Sequence, residues 1–96
     1  LDTDDQLRLI KQLLKANNID EKQTPARVVL AVINRWKDQA LVPEQAKRSN
    51  HDIFADLYQE YQERLLVLNA VDFGDLLLHC LTIFKHHPTV LQSYQQ

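Results

Sequence analysis

Glycine is almost missing from this sequence. One glycine and three prolines in 96 residues are too few for the tight turns of an all-β fold, so the chain is expected to be helical. A single glycine, Gly74, also rules out a glycine-rich phosphate loop within these residues. The one cysteine, Cys80, cannot close an internal disulfide. It lies in an apolar run, where a buried core thiol in a reducing compartment is the plain expectation. No run approaches the roughly 18 unbroken apolar residues of a membrane span, and no signal-peptide pattern is present. The chain has no methionine and ends on Gln95-Gln96 straight after a helical-looking segment. Both ends therefore read as cuts in a longer chain.

Ninety-six residues suit one domain, with 45% hydrophobic and 25% charged residues typical of a globular fold. The net charge of −2 hides an uneven distribution. Residues 1–21 carry −2 and residues 49–96 carry −4, while residues 22–48 carry +4, from Lys22, Arg27, Arg35, Lys37, Lys47 and Arg48 against Asp38 and Glu44. A basic island thus sits between acidic flanks.

Five amphipathic segments are predicted, giving an all-α bundle of about five helices over residues 1–96. Thr3-Asp4-Asp5-Gln6 has the form of a capping box, and Leu7, Ile10, Leu13 and Leu14 follow at helical spacing before an Asn17-Asn18 stop. Thr24-Pro25 opens the second helix, whose apolar face is Val28, Val29, Val32, Ile33 and Trp36. Arg27, Ala31, Asn34 and Arg35 share the other face with Lys37 at its edge, and no carboxylate precedes Asp38 there. Residues 43–50 read as a loop with at most one helical turn. A third helix from about Asp52 to Leu68 carries Phe54, Leu57, Tyr58, Tyr61, Leu65 and Leu68. Asp72 caps a fourth helix with the stripe Phe73, Leu76, Leu77, Cys80, Leu81 and Phe84, which leaves Leu78 off the stripe and outward. Pro88 starts a short fifth helix with Val90, Leu91 and Tyr94.

Catalytic chemistry finds little support. His51, His79, His86 and His87 lack metal-ligand spacing. Asp72 and Asp75 are better explained as an N-cap and a first-turn carboxylate than as an acid–base pair. Trp36 could stack on a base, but its place among the valines favours the core.

Three pieces of sequence together carry a resemblance. They are Leu1-Asp2-Thr3-Asp4-Asp5-Gln6 with Leu7-Arg8-Leu9-Ile10-Lys11; Asn18-Ile19-Asp20-Glu21-Lys22 running into Pro25-Ala26-Arg27 and 33–41; and Val71-Asp72-Phe73-Gly74-Asp75-Leu76-Leu77-Leu78 with His87-Pro88 and Tyr94. In this order they resemble the 1B subdomain of UvrD/PcrA/Rep-type superfamily-one DNA helicases. The resemblance implies an accessory subdomain of a cytoplasmic, ATP-dependent 3′–5′ helicase. DNA at a single-strand/duplex junction and the motor domain of the same parent chain would be its partners. ATP and Mg2+ would belong to the parent, with a Walker loop before Leu1 and a DExx box after Gln96. The segment with Asn34, Arg35 and Lys37 matches the region that family members place near DNA. The implied DNA-binding set is Arg27, Asn34, Arg35 and Lys37, with two to four phosphate contacts and a salt slope of about −2 to −4. The competing reading is a helical protein–protein interaction module built on an apolar patch around Leu78.

Overall fold

A computed structural model of the chain describes residues 1–49 and 52–86. They form five α-helices and, among the described residues, no strand: α1 (Thr3–Ala16), α2 (Ala26–Asp38), α3 (Pro43–Ser49), α4 (Ile53–Val67) and α5 (Phe73–His86). The all-α expectation holds. The expected Pro88 helix, with His51 and His87, lies outside the described residues, and α3 forms where a loop was expected.

Helix α3 escapes periodicity because it has almost no apolar stripe; only Ala46 is buried. Local chemistry starts it instead. Pro43 suits the first helical position, and Gln45 Oε1 accepts from the Val42 N–H at 3.2 Å, the returning half of a capping box.

Two other starts differ from the sequence reading. Asp2, not Thr3, caps α1: its carboxylate accepts from Asp5 N–H at 2.8 Å, and Thr3 is already helical. Gln6 does not reach back to the cap but points inward. At α2, Pro25 takes the cap position and no side chain caps the helix. Asp52 caps α4 by accepting from Ala55 N–H at 3.1 Å.

Three helices end alike. Asn18, Ala40 and Asn69 follow α1, α2 and α4 with φ of 56°, 57° and 52°. In each case the next residue donates back to the carbonyl five positions earlier: Ile19 to Leu14, Leu41 to Trp36 and Ala70 to Leu65. These left-handed closures satisfy terminal carbonyls and turn an apolar residue inward.

The core is built by α1, α2 and α4. Leu9, Ile10, Leu13 and Leu14 meet Val29, Leu30, Ile33 and Trp36 across Ala55, Leu57, Tyr58, Tyr61 and Leu65. Trp36 stacks on Tyr58 with ring centroids 5.6 Å apart, so it is a core residue. Tyr58 Oη donates to Leu41 O at 2.8 Å, giving the buried phenol a partner. Helix α3 packs on α4, and α5 on α2.

Helix α5 turns most of its expected hydrophobic stripe outward, while Leu81 and Phe84 at the far end of that stripe are half-buried. Phe73 is 81% exposed, and Leu76, Leu77, Ile83 and Cys80 also face outward. Leu78, expected on the outside, is only 5% exposed, and Asp72 and Asp75 are buried with it. Cys80 is therefore not a core thiol. An apolar patch around Leu78 does not exist, and the apolar surface lies on the other side of the helix.

Candidate nucleic-acid interface

The sequence-derived DNA set does not stay together. At about 100° per residue, Arg27, Ala31 and Arg35 fall on the outer side of α2 and are exposed, and Asn34 is half-buried beside them. Among the described residues neither arginine forms an ion pair or side-chain hydrogen bond. Both guanidiniums remain free to donate to an external anion.

Lys37 falls out of the set. The same rotation brings it round between Leu30 and Ile33, on the inner side, and it has no exposed surface at all. Its ammonium donates to Asp72 Oδ2 at 2.7 Å and lies 2.9 Å from Asp75 Oδ1. A cation with two carboxylates within 3 Å presents a net negative charge, the wrong sign for holding phosphate. Lys37 is a structural residue.

The cluster around it joins four helices. Asp72 Oδ2 accepts from Gln6 Nε2 at 3.1 Å, Lys37 Nζ at 2.7 Å and Tyr61 Oη at 2.8 Å. Gln6 Nε2 also donates to Tyr61 Oη at 3.1 Å. The Lys37 ammonium lies 5.0 Å from the Tyr61 ring centroid, within cation–π range. Asp72 and Asp75 meanwhile cap α5 reciprocally. Asp75 N–H donates to Asp72 Oδ1 at 2.7 Å, and Asp72 N–H donates to Asp75 Oδ2 at 3.1 Å. Gln62 Nε2 completes the set by donating to Asp75 Oδ1 at 2.8 Å. The capping roles expected for the two aspartates are both present, and each carboxylate has a second task besides.

Gly74 makes the close approach possible. A β-carbon at this position would come within 2.9 Å of Lys37 Cδ and 3.3 Å of Asp72 Oδ1. The only glycine of the chain thus seats the start of α5 on a lysine stem and is unavailable to cradle a phosphate.

Burial alone would raise the Asp72 pKa, but the hydrogen bonds from Lys37 and Tyr61 outweigh it and hold the carboxyl below its ordinary value. Burial pushes the Tyr61 phenol well above the usual tyrosine value, and its bond to Asp72 adds to the shift. Tyr58 moves the same way, first through burial and then through the nearby Asp75 and Asp72 charges. The Lys37 ammonium and both Asp72 and Asp75 carboxylates are engaged by these bonds, while Gln62 Oε1 is buried without a partner among the described residues. Lys37, Tyr61 and Asp72 are shut off from solvent, and only the Gln62–Asp75 edge borders a small surface hollow, so the cluster is read as a structural knot.

Sequence reasoning missed Lys37 because a lysine at the border of a helical wheel is ordinarily assigned to water. A signal was available: Lys37 lies within about 40° of both Leu30 and Ile33 on the wheel. Two aspartates three residues apart also offered it a pair of partners.

Among the described residues no three His, Cys, Asp or Glu side chains gather as metal ligands. No described helix is long and apolar enough to cross a membrane.

Comparison with known proteins gives one consistent likeness. The family described as the UvrD/REP helicase N-terminal domain matches residues 1–96. The chain is 39% identical to DNA helicase II of Escherichia coli over 99 residues, covering all of this chain and 14% of that protein. It is 39% identical over 98 residues to a probable DNA helicase II homolog of Rickettsia felis, covering 97% of this chain and 15% of that protein. It is 36% identical over 100 residues to the ATP-dependent DNA helicase PcrA of Bacillus subtilis, again across the whole chain and 14% of the relative. The chain thus spans about one seventh of the length of these curated relatives.

Proposed function

The chain belongs to the UvrD/REP helicase N-terminal-domain family, and from that membership we propose that residues 1–96 form a single 1B-type helical subdomain of an ATP-dependent 3′–5′ DNA helicase. In this reading the subdomain touches DNA at the single-strand/duplex junction while a motor elsewhere in a cytoplasmic parent separates the strands. The observation that carries it is the pair Arg27 and Arg35, exposed on one side of α2 and without an ion-pair partner among the described residues, with Asn34 beside them. Eight residues separate the arginines, about 12 Å along the helix. That spacing lets them take two different phosphates while the amide of Asn34 serves as an intervening donor.

With Lys37 withdrawn into the core, two cations remain and the expected log–log salt slope is about −2 on duplex. Titration of labelled forked DNA at two salt concentrations tests this. Reversing both charges (Arg27→Glu, Arg35→Glu) is expected to abolish the salt-dependent part of binding. Binding that persists unchanged at both salts would remove this face from the interface.

Gly74, the only glycine of the chain, is packed against Lys37, and in this reading the nucleotide is held elsewhere in the parent. ATP and Mg2+ would belong to the motor of the parent. The outward face of α5, with Phe73, Leu76, Leu77 and Ile83 exposed, fits the contact with that motor. A contiguous apolar surface of this kind ordinarily marks an interface.

A further inference from the structure

Helix α5 has two faces that compete for the same seat. One is short and charged: Asp72 and Asp75, with Leu78 beyond them, all buried. The other is longer and apolar: Phe73, Leu76, Leu77 and Ile83, with Cys80 among them, all exposed. Their centres lie nearly half a turn apart on a helix of about 100° per residue. Burial of apolar surface alone would seat the second face, close to the orientation expected from the stripe Phe73, Leu76, Leu77, Cys80, Leu81 and Phe84, of which the last two are already half-buried.

The charged face wins because of a single residue in the seat. Leu30, Ile33 and Lys37 form one inner strip of α2, the helix on which α5 packs. An apolar face laid over Lys37 would leave a buried ammonium with no partner, a far larger cost than the burial gained. Asp72 and Asp75 answer that ammonium at 2.7 and 2.9 Å, and Tyr61, Gln6 and Gln62 satisfy most of what remains.

We propose that the Lys37–Asp72–Asp75 cluster is an orientation device. It selects which face of α5 looks outward, and without it α5 has a second seating, rolled by about half a turn, in which the apolar face is buried. The cluster thereby keeps an apolar surface presented that the helix would otherwise hide. Selection of one arrangement by a buried ion pair, at some expense of apolar burial, is a role such groups can fill. The inference stands on the geometry of this chain and does not depend on the DNA-contact reading.

Cys80, the only thiol in the chain, reports the orientation directly. It is exposed now and would sit in the middle of the buried stripe after the roll. Lys37→Met makes the seat wholly apolar and lets both aspartates turn to water. The full 96-residue chain is alkylated with N-ethylmaleimide under native conditions, and helicity is followed by circular dichroism. Wild type is expected to react nearly as fast as the unfolded chain. The variant is expected to keep its helicity and to react at least tenfold more slowly. Unchanged reactivity in a folded variant overturns the proposal, as does faster reaction with partial loss of helicity, which would mean that α5 detaches. If Lys37→Met does not fold, Lys37→Met with Asp72→Asn and Asp75→Asn leaves no charge to bury and is read in the same way. Failure of both to fold also overturns the proposal, since the cluster would then hold the whole bundle and not orient one helix.

Discussion

Lys37 and Asp72 are 35 residues apart in sequence, yet Nζ and Oδ2 meet at 2.7 Å with both side chains withdrawn from solvent. Around this pair the bundle exchanges apolar packing for hydrogen bonds at the one place where α1, α2, α4 and α5 converge. Such an arrangement is stable only while every partner is present.

Tyr61 supplies one of the three bonds to Asp72 Oδ2. Tyr61→Phe is expected to lower the unfolding free energy by about 1.5–3 kcal/mol, the range for a hydrogen bond to a charged group. In an Asp72→Asn background the acceptor is neutral, and the same change is expected to cost less, with a coupling of about 0.5–3 kcal/mol. Urea denaturation of the four proteins closes the cycle; strict additivity would show that the phenol and the carboxylate act independently.

Acid and alkali are expected to attack the cluster from opposite ends. Asp72 is held below the ordinary carboxylate value of about 3.9. Its contribution is present in full above about pH 4. It fades as the pH falls from there through the lower folded-state value, because the unfolded chain takes up the proton first. The stability difference between wild type and Asp72→Asn is therefore expected to shrink over that window. Tyr58 and Tyr61 are raised above the ordinary phenol value of about 10. The stability they hold is present below pH 10 and is lost above it, as the unfolded chain gives up its phenolic protons first. Phenolate absorbance from these two tyrosines is expected to rise together with unfolding and not before it.

Gly74→Ala runs against the usual helix rule. Alanine ordinarily gains up to about 1 kcal/mol over glycine in a helix. Here the new methyl would stand 2.9 Å from Lys37 Cδ, on a stem whose ammonium is held by two carboxylates and cannot swing clear. A net loss of about 1–3 kcal/mol is expected from the overpacking, measured as a lower denaturation midpoint.

The first helix offers a test of capping. Asp2→Ala is expected to cost about 1 kcal/mol, since it removes the acceptor for Asp5 N–H. Thr3→Ala is expected to stay within about 0.5 kcal/mol. The reverse order in thermal melts would restore the threonine as the cap.

What the sequence reveals and conceals divides along physical lines. The stripes of α1 and α4 are legible because ordinary apolar burial decides them, and Leu13, Leu14, Tyr58, Tyr61 and Leu65 are all in the core; Leu68, expected with them, follows the last turn of α4 and is exposed. The outer side of α2 is legible for the same reason, and Arg27 and Arg35 lie where the periodicity puts them. Helix α3 was hidden because its start depends on Pro43 and Gln45 and not on a stripe. The largest error, the facing of α5, has a single cause: hydrophobic periodicity assumes that apolar area chooses the buried side, and at Lys37 a charge chooses instead. That same lysine was misassigned to the DNA face, so one buried ammonium accounts for both corrections.

The meeting of distant segments has a kinetic meaning too. Gln6, Lys37, Tyr61 and Asp72 are brought together across separations of 66, 35 and 11 residues from the aspartate. Contacts of long separation are formed after most loop entropy has been lost. The cluster is thus expected to close late in folding. Weakening it is expected to hasten unfolding while leaving the folding rate nearly unchanged. On that outcome the knot is a lock on the finished fold and not a step on the way to it.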